Sequence, residues 1–293
     1  LRVAVKPPVL VGIGDDAAVI RSTCAAGEVV TTDMLMEGVD FLADTATPED
    51  MGRKALAVNL SDIAAMGARP TAAFVSVAFP QDRGMDFARR VFAGLEALAA
   101  EYDVTIAGGD TNSWRGPFVI NVTLIGEPLA SAPLLRSGAK PGDVLMVTGA
   151  CGGSIRGRHL HFTPRLDEVR HLLEIITPHA MIDISDGLAA DLHHLLDESH
   201  VGAIVDAAAI PIHPDTGAMT DNVPPLRHAL SDGEDFELLF TVGPDDVARL
   251  SAAWKHATPL TAIGEITAEK SVLLREGGTI TSLPPWGWTH ALS

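Results

Sequence analysis

Apolar residues recur along this chain in short runs, and the runs tend to end in carboxylates. Val9 to Gly14 reads as a brief strand closing on Gly12-Ile13-Gly14-Asp15-Asp16, and Glu28 to Asp33 is β-rich and again closes on Asp. A helical pattern follows from Pro48 to Met66. Thr47 is placed to cap it, Pro48 fits its first turn, and Gly67 fits the residue after its end. Thr71 to Phe79 reads as a strand, and Asp86 to Tyr102 as a helix with Phe87, Val91, Leu95 and Leu98 on one side. Val104 to Ala107 is a short strand running into Gly108-Gly109-Asp110-Thr111, and Phe118 to Ile125 is another strand. This order of elements predicts an α+β or split βαβ layer.

A domain boundary is expected near Leu129 to Pro133, giving units 1–133 and 134–293. Beyond it, Lys140 to Asp143 reads as a turn into the strand Val144 to Thr148, followed by the Gly-rich run Gly149 to Ser154. Leu166 to Ile176 reads as a helix. A strand then leads through Ile182-Asp183-Ile184-Ser185-Asp186-Gly187 into the helix Leu188 to Ser199. Ser231-Asp232-Gly233-Glu234-Asp235 feeds a strand over Phe236 to Val242. One more strand spans Ser271 to Leu274, and the tail ends in Pro284-Pro285-Trp286-Gly287-Trp288.

The carboxylates carry the candidate chemistry. Asp15 and Asp16, Asp33, Asp62, Asp110, and Asp183 with Asp186 each follow an apolar run with Gly, Ser or Thr close by. A lone Asp in such a place is turn or cap chemistry, and Asp186 is well placed as an N-cap. Five such places in one chain point to a shared cause, a cluster of divalent cations carrying a polyphosphate. Asp62 stands out because it lies inside a helix among Ala57, Val58, Leu60, Ile63 and Ala64, where a carboxylate needs a partner. Lys54 or Arg53 could be that partner and make a purely structural pair. The Gly149 to Ser154 run could cradle phosphate with backbone N–H groups, and Arg136 and Lys140 are candidate phosphate cations. Neither a P-loop nor the protein-kinase motif set is present, and the histidines form no metal signature.

Composition narrows the partners. The chain has 293 residues, of which 47% are hydrophobic but only 5% aromatic, so the core must be built from aliphatic side chains. A formal charge of -17 argues against nucleic acid or an anionic membrane as a partner, and would repel an anionic substrate unless cations intervene. No apolar stretch is long enough to predict a spanning helix. Cys24 and Cys151 lie far apart, so a reducing, cytoplasmic compartment is the expectation, with both thiols as small buried hydrophobes.

With these residues placed, the chain resembles the thiamine-monophosphate kinase family. That family lies within the ATP-binding superfamily of aminoimidazole ribonucleotide synthetase, selenophosphate synthetase and a hydrogenase-maturation protein. The resemblance rests on GIGDDAAV (Gly12 to Val19), TTDML (Thr31 to Leu35), KALAVNLSDIAAMGARP (Lys54 to Pro70), GGDT (Gly108 to Thr111), RSGAKPGD (Arg136 to Asp143), IDISDGL (Ile182 to Leu188) and SDGEDFEL (Ser231 to Leu238). It implies a two-domain α/β (α+β) fold, with an N-terminal domain that pairs across a homodimer into a β-barrel and a C-terminal α/β domain. It implies ATP as co-substrate, Mg2+ as cofactor and thiamine monophosphate as acceptor. Carried over by position, Asp16, Thr31, Thr32, Asp33, Asp62, Asp110, Asp183 and Asp186 resemble magnesium ligands. Gly109, Asp110, Arg136 and Ser185 resemble ATP contacts; Asp40, Glu234 and Trp288 fall at acceptor-contact positions. Two departures stand out: Asp40 occupies a position where the family often has histidine, and the segment from Cys151 to Ile176 is short and carries Arg156, Arg158, His159 and His161. Direct phosphoryl transfer without a general base is the expected reaction. A related synthase acting on another metabolite, or a nucleotide-binding protein without catalysis, are the alternatives.

Overall fold

The computed structural model describes residues 9–11, 15–21 and 27–289. Gly12 to Gly14 of the first acidic motif, and Cys24, lie outside the described residues. The first half runs β1 (Val9–Val11), β2 (Ala18–Ile20), β3 (Glu28–Met36), α1 (Pro48–Ala65), β4 (Ala68–Pro80), α2 (Gly84–Glu101), β5 (Thr105–Trp114) and β6 (Val119–Pro128). The second half runs β7 (Val144–Thr148), α3 (Arg158–His161), α4 (Leu166–Ile175), β8 (Ala180–Asp183), α5 (Leu188–Ser199), β9 (Gly202–Asp206), α6 (Pro225–Ser231), β10 (Leu238–Val242), α7 (Pro244–Ala253), β11 (Leu260–Thr267), β12 (Val272–Glu276) and β13 (Thr279–Ser282). This is a mixed α/β fold.

The strands form two sheets. The first has the order β1-β2-β3-β6-β4-β5, antiparallel except where β4 and β5 run parallel across the α2 crossover. The second has the order β13-β12-β9-β11-β7-β10-β8. Helix α1 opens with a capping box. The Thr47 hydroxyl accepts from Asp50 N at 3.2 Å, and Asp50 Oδ2 accepts from Thr47 N at 2.9 Å. The helix stops where Gly67 turns to φ +62, a conformation glycine takes without strain.

Around β7, β10 and β8 the second sheet is buried on both faces. One face joins the core that α1 and α2 form on the first sheet, with Met146, Phe236 and Phe240 in the same cluster as Leu56, Leu60 and Phe118. The other packs against α5 through Leu188, Leu192 and Leu195. The segment between the sheets is pinned to the end of α1, since Leu129 N donates to Gly67 O and Leu134 N to Met66 O, both at 2.9 Å. No helix among the described residues is long and apolar enough to cross a membrane.

Two strands and one helix cap near the candidate motifs differ from the sequence reading. Strand β5 does not stop at Ala107 but runs through the Gly-Gly-Asp-Thr motif to Trp114, because β4 gives it a parallel partner throughout. The glycines permit this, for a Cβ at Gly109 would lie 1.8 Å from Val75 O. Strand β10 begins at Leu238 rather than Phe236, whose φ of +51 is incompatible with a strand. Asp186 does not cap α5; Asp191 Oδ2 does so from within, accepting from the N–H groups of Asp186 and Gly187 at 3.0 Å each.

Candidate active site

The site forms where α1 of the first half meets the edge strand of the second sheet. Asp183 is the last residue of β8 and is buried; the Ser61 hydroxyl of α1 donates to its Oδ2 at 2.5 Å. The next residue on α1 is Asp62, whose Oδ2 accepts a short hydrogen bond from the Thr31 hydroxyl of β3. Its partner is therefore neither Lys54 nor Arg53, which donate to other groups. Asp33 lies two residues along β3, on the same face as Thr31. Asp16, just before β2, completes the group: Asp16, Asp62 and Asp183 each offer a carboxylate oxygen within 4.8 Å of the others. Arg136 grips Asp16 with two hydrogen bonds of 3.0 and 2.9 Å, and its backbone N donates to Asp15 Oδ1 at 3.0 Å.

This is an expensive arrangement for a folded chain. Burial, then repulsion from Asp33, Asp183 and Asp16, pushes the Asp62 carboxyl well above its ordinary range. Burial and Asp16 do the same to Asp183. Asp33 is raised to about 6 by burial, against the hydrogen bond to Asp62, and Asp15 to about 7 by burial and Asp16. Two like charges ~4 Å apart repel by about 4 kcal/mol at an effective dielectric near 20. Arg136 offsets part of this charge through Asp16, and an all-oxygen donor set of this kind fits a hard divalent ion.

The second group of candidate residues gathers beside the first. Ser185 O accepts from Glu234 N at 2.7 Å, and Asp186 O accepts from Trp288 N at 2.9 Å, so the Ser-Asp-Gly turn, the acidic loop and the tail touch. Lys54, fully buried in α1, donates to Glu234 Oε1 and to Asp40 O, both at 2.5 Å. Asp40 Oδ2 accepts from Met36 N at 2.7 Å, which folds the turn after β3 back on itself. The sequence reading offered Lys54 only as a possible partner of Asp62, and its contacts with Glu234 and Asp40 were missed.

Three candidates lie apart from the cluster. The Thr32 side chain is on the opposite sheet face, its hydroxyl 3.0 Å from that of Thr123. Gly109 and Asp110 are on β5, three strands from β3, roughly 14 Å away at the usual strand spacing. Asp110 pairs with exposed Ser76 on the face turned away from α1.

The Gly-rich run is not a phosphate cradle. Gly149 N donates to Pro259 O and Cys151 N to Pro211 O. Gly152 N donates to both Asp235 oxygens at 2.9 Å, and Gly153 N to Asp232 Oδ2 at 2.8 Å. The basic residues after the run are likewise occupied within the second half, with Arg156 on Ala218 O, Arg158 on Asp235 and Arg165 on Glu237. Cys151 is buried, and burial raises its thiol well above the ordinary value.

The family model of AIR synthase related protein, N-terminal domain, matches residues 14–127, and that of the C-terminal domain matches residues 140–275. A thiamine-monophosphate kinase from Rhodopirellula baltica is 41% identical over 97% of this chain and 92% of its own length. The chain belongs to the thiamine-monophosphate kinase family. A second member, from Bacillus subtilis, is 36% identical over 96% of this chain and 93% of its own. Among solved structures, AaThiL complexed with AMPPCP and TMP superposes with a TM-score of 0.83 at 30% identity, covering 95% of this chain and 92% of that one. The fold extends further: a HypE–HypF complex contains a chain with a TM-score of 0.76 at 20% identity, which shows a shared fold alone.

Proposed function

We propose that this chain transfers the γ-phosphoryl group of ATP to thiamine monophosphate, giving thiamine diphosphate and ADP. The observation that carries this reading is the meeting of Asp16, Asp62 and Asp183 beside Arg136, in a chain 41% identical to a thiamine-monophosphate kinase. The related structure that holds AMPPCP, an ATP analogue, together with TMP supports the same pair of substrates here.

Asp16, Asp33, Asp62 and Asp183, with the Thr31 hydroxyl and Asp186, would hold Mg2+. When bound, Mg2+ supplies the positive charge that offsets repulsion between two anionic phosphates. Arg136, fixed by Asp16, orients the polyphosphate, and Ser185 contacts the nucleotide from the turn after β8. The acceptor phosphate has a second pKa of about 6 and is largely a dianion at neutral pH. One of its oxygens attacks the γ-phosphorus while the bond to the β,γ-bridging oxygen breaks. No proton has to be removed, so no residue is required as a general base. At the acceptor's other end stand Glu234, Asp40 and Trp288. Burial tends to raise the Glu234 carboxyl, but His159 and Lys54 outweigh it and hold the group below its ordinary value, so it is an anion at neutral pH.

We further propose domains at 1–133 and 134–293, a cytoplasmic setting, and a homodimer in which the open six-stranded sheets of two copies close into a barrel. The exposed Met34, Met36 and Phe74 on that sheet support the pairing. In this assembly Gly109, Asp110 and Thr32, which lie away from the cluster of their own copy, face the partner, and Asp110 completes the partner's site. The test of the reaction is incubation of the protein with ATP, Mg2+ and thiamine monophosphate. Thiamine diphosphate and ADP in equal amounts by mass spectrometry is the expected result; ADP formed only with another metabolite would replace it with a sibling synthase.

A further inference from the structure

Lys54 is 0% exposed, in the middle of α1. A buried ammonium is costly unless polar partners surround it, and here three are within hydrogen-bond distance. These are Asp40 O at 2.5 Å, Glu234 Oε1 at 2.5 Å and His159 Nδ1 at 2.9 Å, the last also 3.1 Å from Glu234 Oε2. These partners lie on three separate segments: the turn after β3, the short helix α3 and the acidic loop before β10. A single side chain therefore ties all three to α1.

The acidic loop needs such a tie. Glu234 has φ +52 and Phe236 φ +51, a left-handed conformation that is unfavourable for a residue with a side chain. Backbone bonds from Glu234 N to Ser185 O and from Phe236 N to Ile184 O hold the loop against the turn that follows β8. Lys54 then fixes the carboxylate itself, which keeps 29% of its side chain open. Eight residues along α1 stands Asp62, a rise of about 12 Å. The same rigid helix thus sets the distance between the acidic cluster and the Glu234 carboxylate.

We infer that Lys54 is a positioning residue for the acceptor, holding the Glu234 carboxylate and the Asp40 main chain at a fixed separation from the phosphoryl-transfer cluster. The inference rests on the proposed function in that acceptor affinity is the quantity read. Its test is a double-mutant cycle of Lys54→Met, Glu234→Gln and the two together, since the pair leaves no uncompensated buried charge. In Lys54→Met the KM for thiamine monophosphate should rise at least tenfold while that for ATP stays within twofold. The double variant should exceed Glu234→Gln alone by less than the factor that Lys54→Met costs by itself, because Lys54 acts in part through that carboxylate. A second readout needs no activity: in ligand-free Lys54→Met, amides of residues 38–41 and 234–236 should exchange at least tenfold faster, with those of β8 unchanged.

An unchanged acceptor KM, equal rises in both KM values, strictly additive effects, or faster exchange spread evenly over α1 and β8 would each overturn the assignment. So would failure of both Lys54 variants to fold, which would mark the lysine as structural only. If the wild-type protein makes no thiamine diphosphate, the functional reading fails by itself and the exchange pattern alone decides the role of Lys54.

Discussion

The proposed reaction depends on a few carboxylates that crowd together where burial and like charge oppose their ionised forms. Asp62 illustrates the logic. It is flanked by apolar helix residues, receives one hydroxyl, and faces three other acids. Replacing it with Asn should lower turnover about a hundredfold or more, the scale on which a single electrostatic group acts in phosphoryl and acyl transfer. Because the change also removes repulsion, metal-free Asp62→Asn should melt no lower than the wild type; a lower melting temperature by calorimetry would contradict that account. Away from the site, buried His228 lies between Asp232, with its Nδ1 2.9 Å from Oδ1, and Asp221. Burial lowers its pKa, but the two carboxylates outweigh burial and raise it above the ordinary value. A raised folded-state pKa gives stability that is fully present below the unfolded value of about 6.5 and is lost as pH rises through the folded one. His228→Gln should therefore cost more stability at pH 6 than at pH 8 in urea titrations; a pH-independent cost would contradict the pairing. The acids themselves were legible in the sequence, because they recur at the ends of apolar runs and Asp62 sits inside an apolar helix. Lys54 was read only as a possible partner of Asp62, since its actual partner Glu234 lies 180 residues away.

At the scale of elements, α1 carries both the acidic cluster and the Lys54 tie, so its seating against α2 matters. The two helices approach closely at Gly52 and Gly94. A Cβ at Gly52 would lie 1.9 Å from Val91 O, and one at Gly94 would lie 2.0 Å from Glu49 O. Glycine to alanine in a helix ordinarily gains up to about 1 kcal/mol in helix propensity. Here backbone must move, and overpacking of about 1–3 kcal/mol should reverse the sign. Chemical denaturation of Gly52→Ala should show a net loss of stability; a gain would show that the helices can part without strain. Periodicity exposed α1, α2, α4 and α5 because each has an apolar stripe or cap signals. It did not expose β9, β11 and α7, which owe their form to sheet partners and a Gly243-Pro244 start rather than to pattern. The Gly-rich run misled for a related reason: its N–H groups answer to Asp232 and Asp235, 79 and 83 residues away, in a pairing that no local pattern shows.

For the whole molecule, the sequence carried the mixed α/β class through its ordered motifs, but not the way its halves share one core through Met146 and Phe240. Nor could sequence show that Gly109 and Asp110 lie on the far edge of the first sheet from the cluster. The proposed homodimer resolves that separation and makes a sharp prediction. Asp62→Asn and Asp110→Asn should each be inactive alone, yet mixing and reassociating them should restore up to about a quarter of wild-type activity, through the one intact site of each mixed dimer. No restoration would place Asp110 in the site of its own copy or outside the chemistry. The central claim is tested most directly by a single turnover with γ-labelled ATP, Mg2+ and thiamine monophosphate, comparing wild type with Asp62→Asn. Label should pass into thiamine diphosphate in the wild type, with none on the protein and none transferred by the variant. Label retained on the protein, or transfer undiminished in Asp62→Asn, would contradict direct phosphoryl transfer at this acidic cluster.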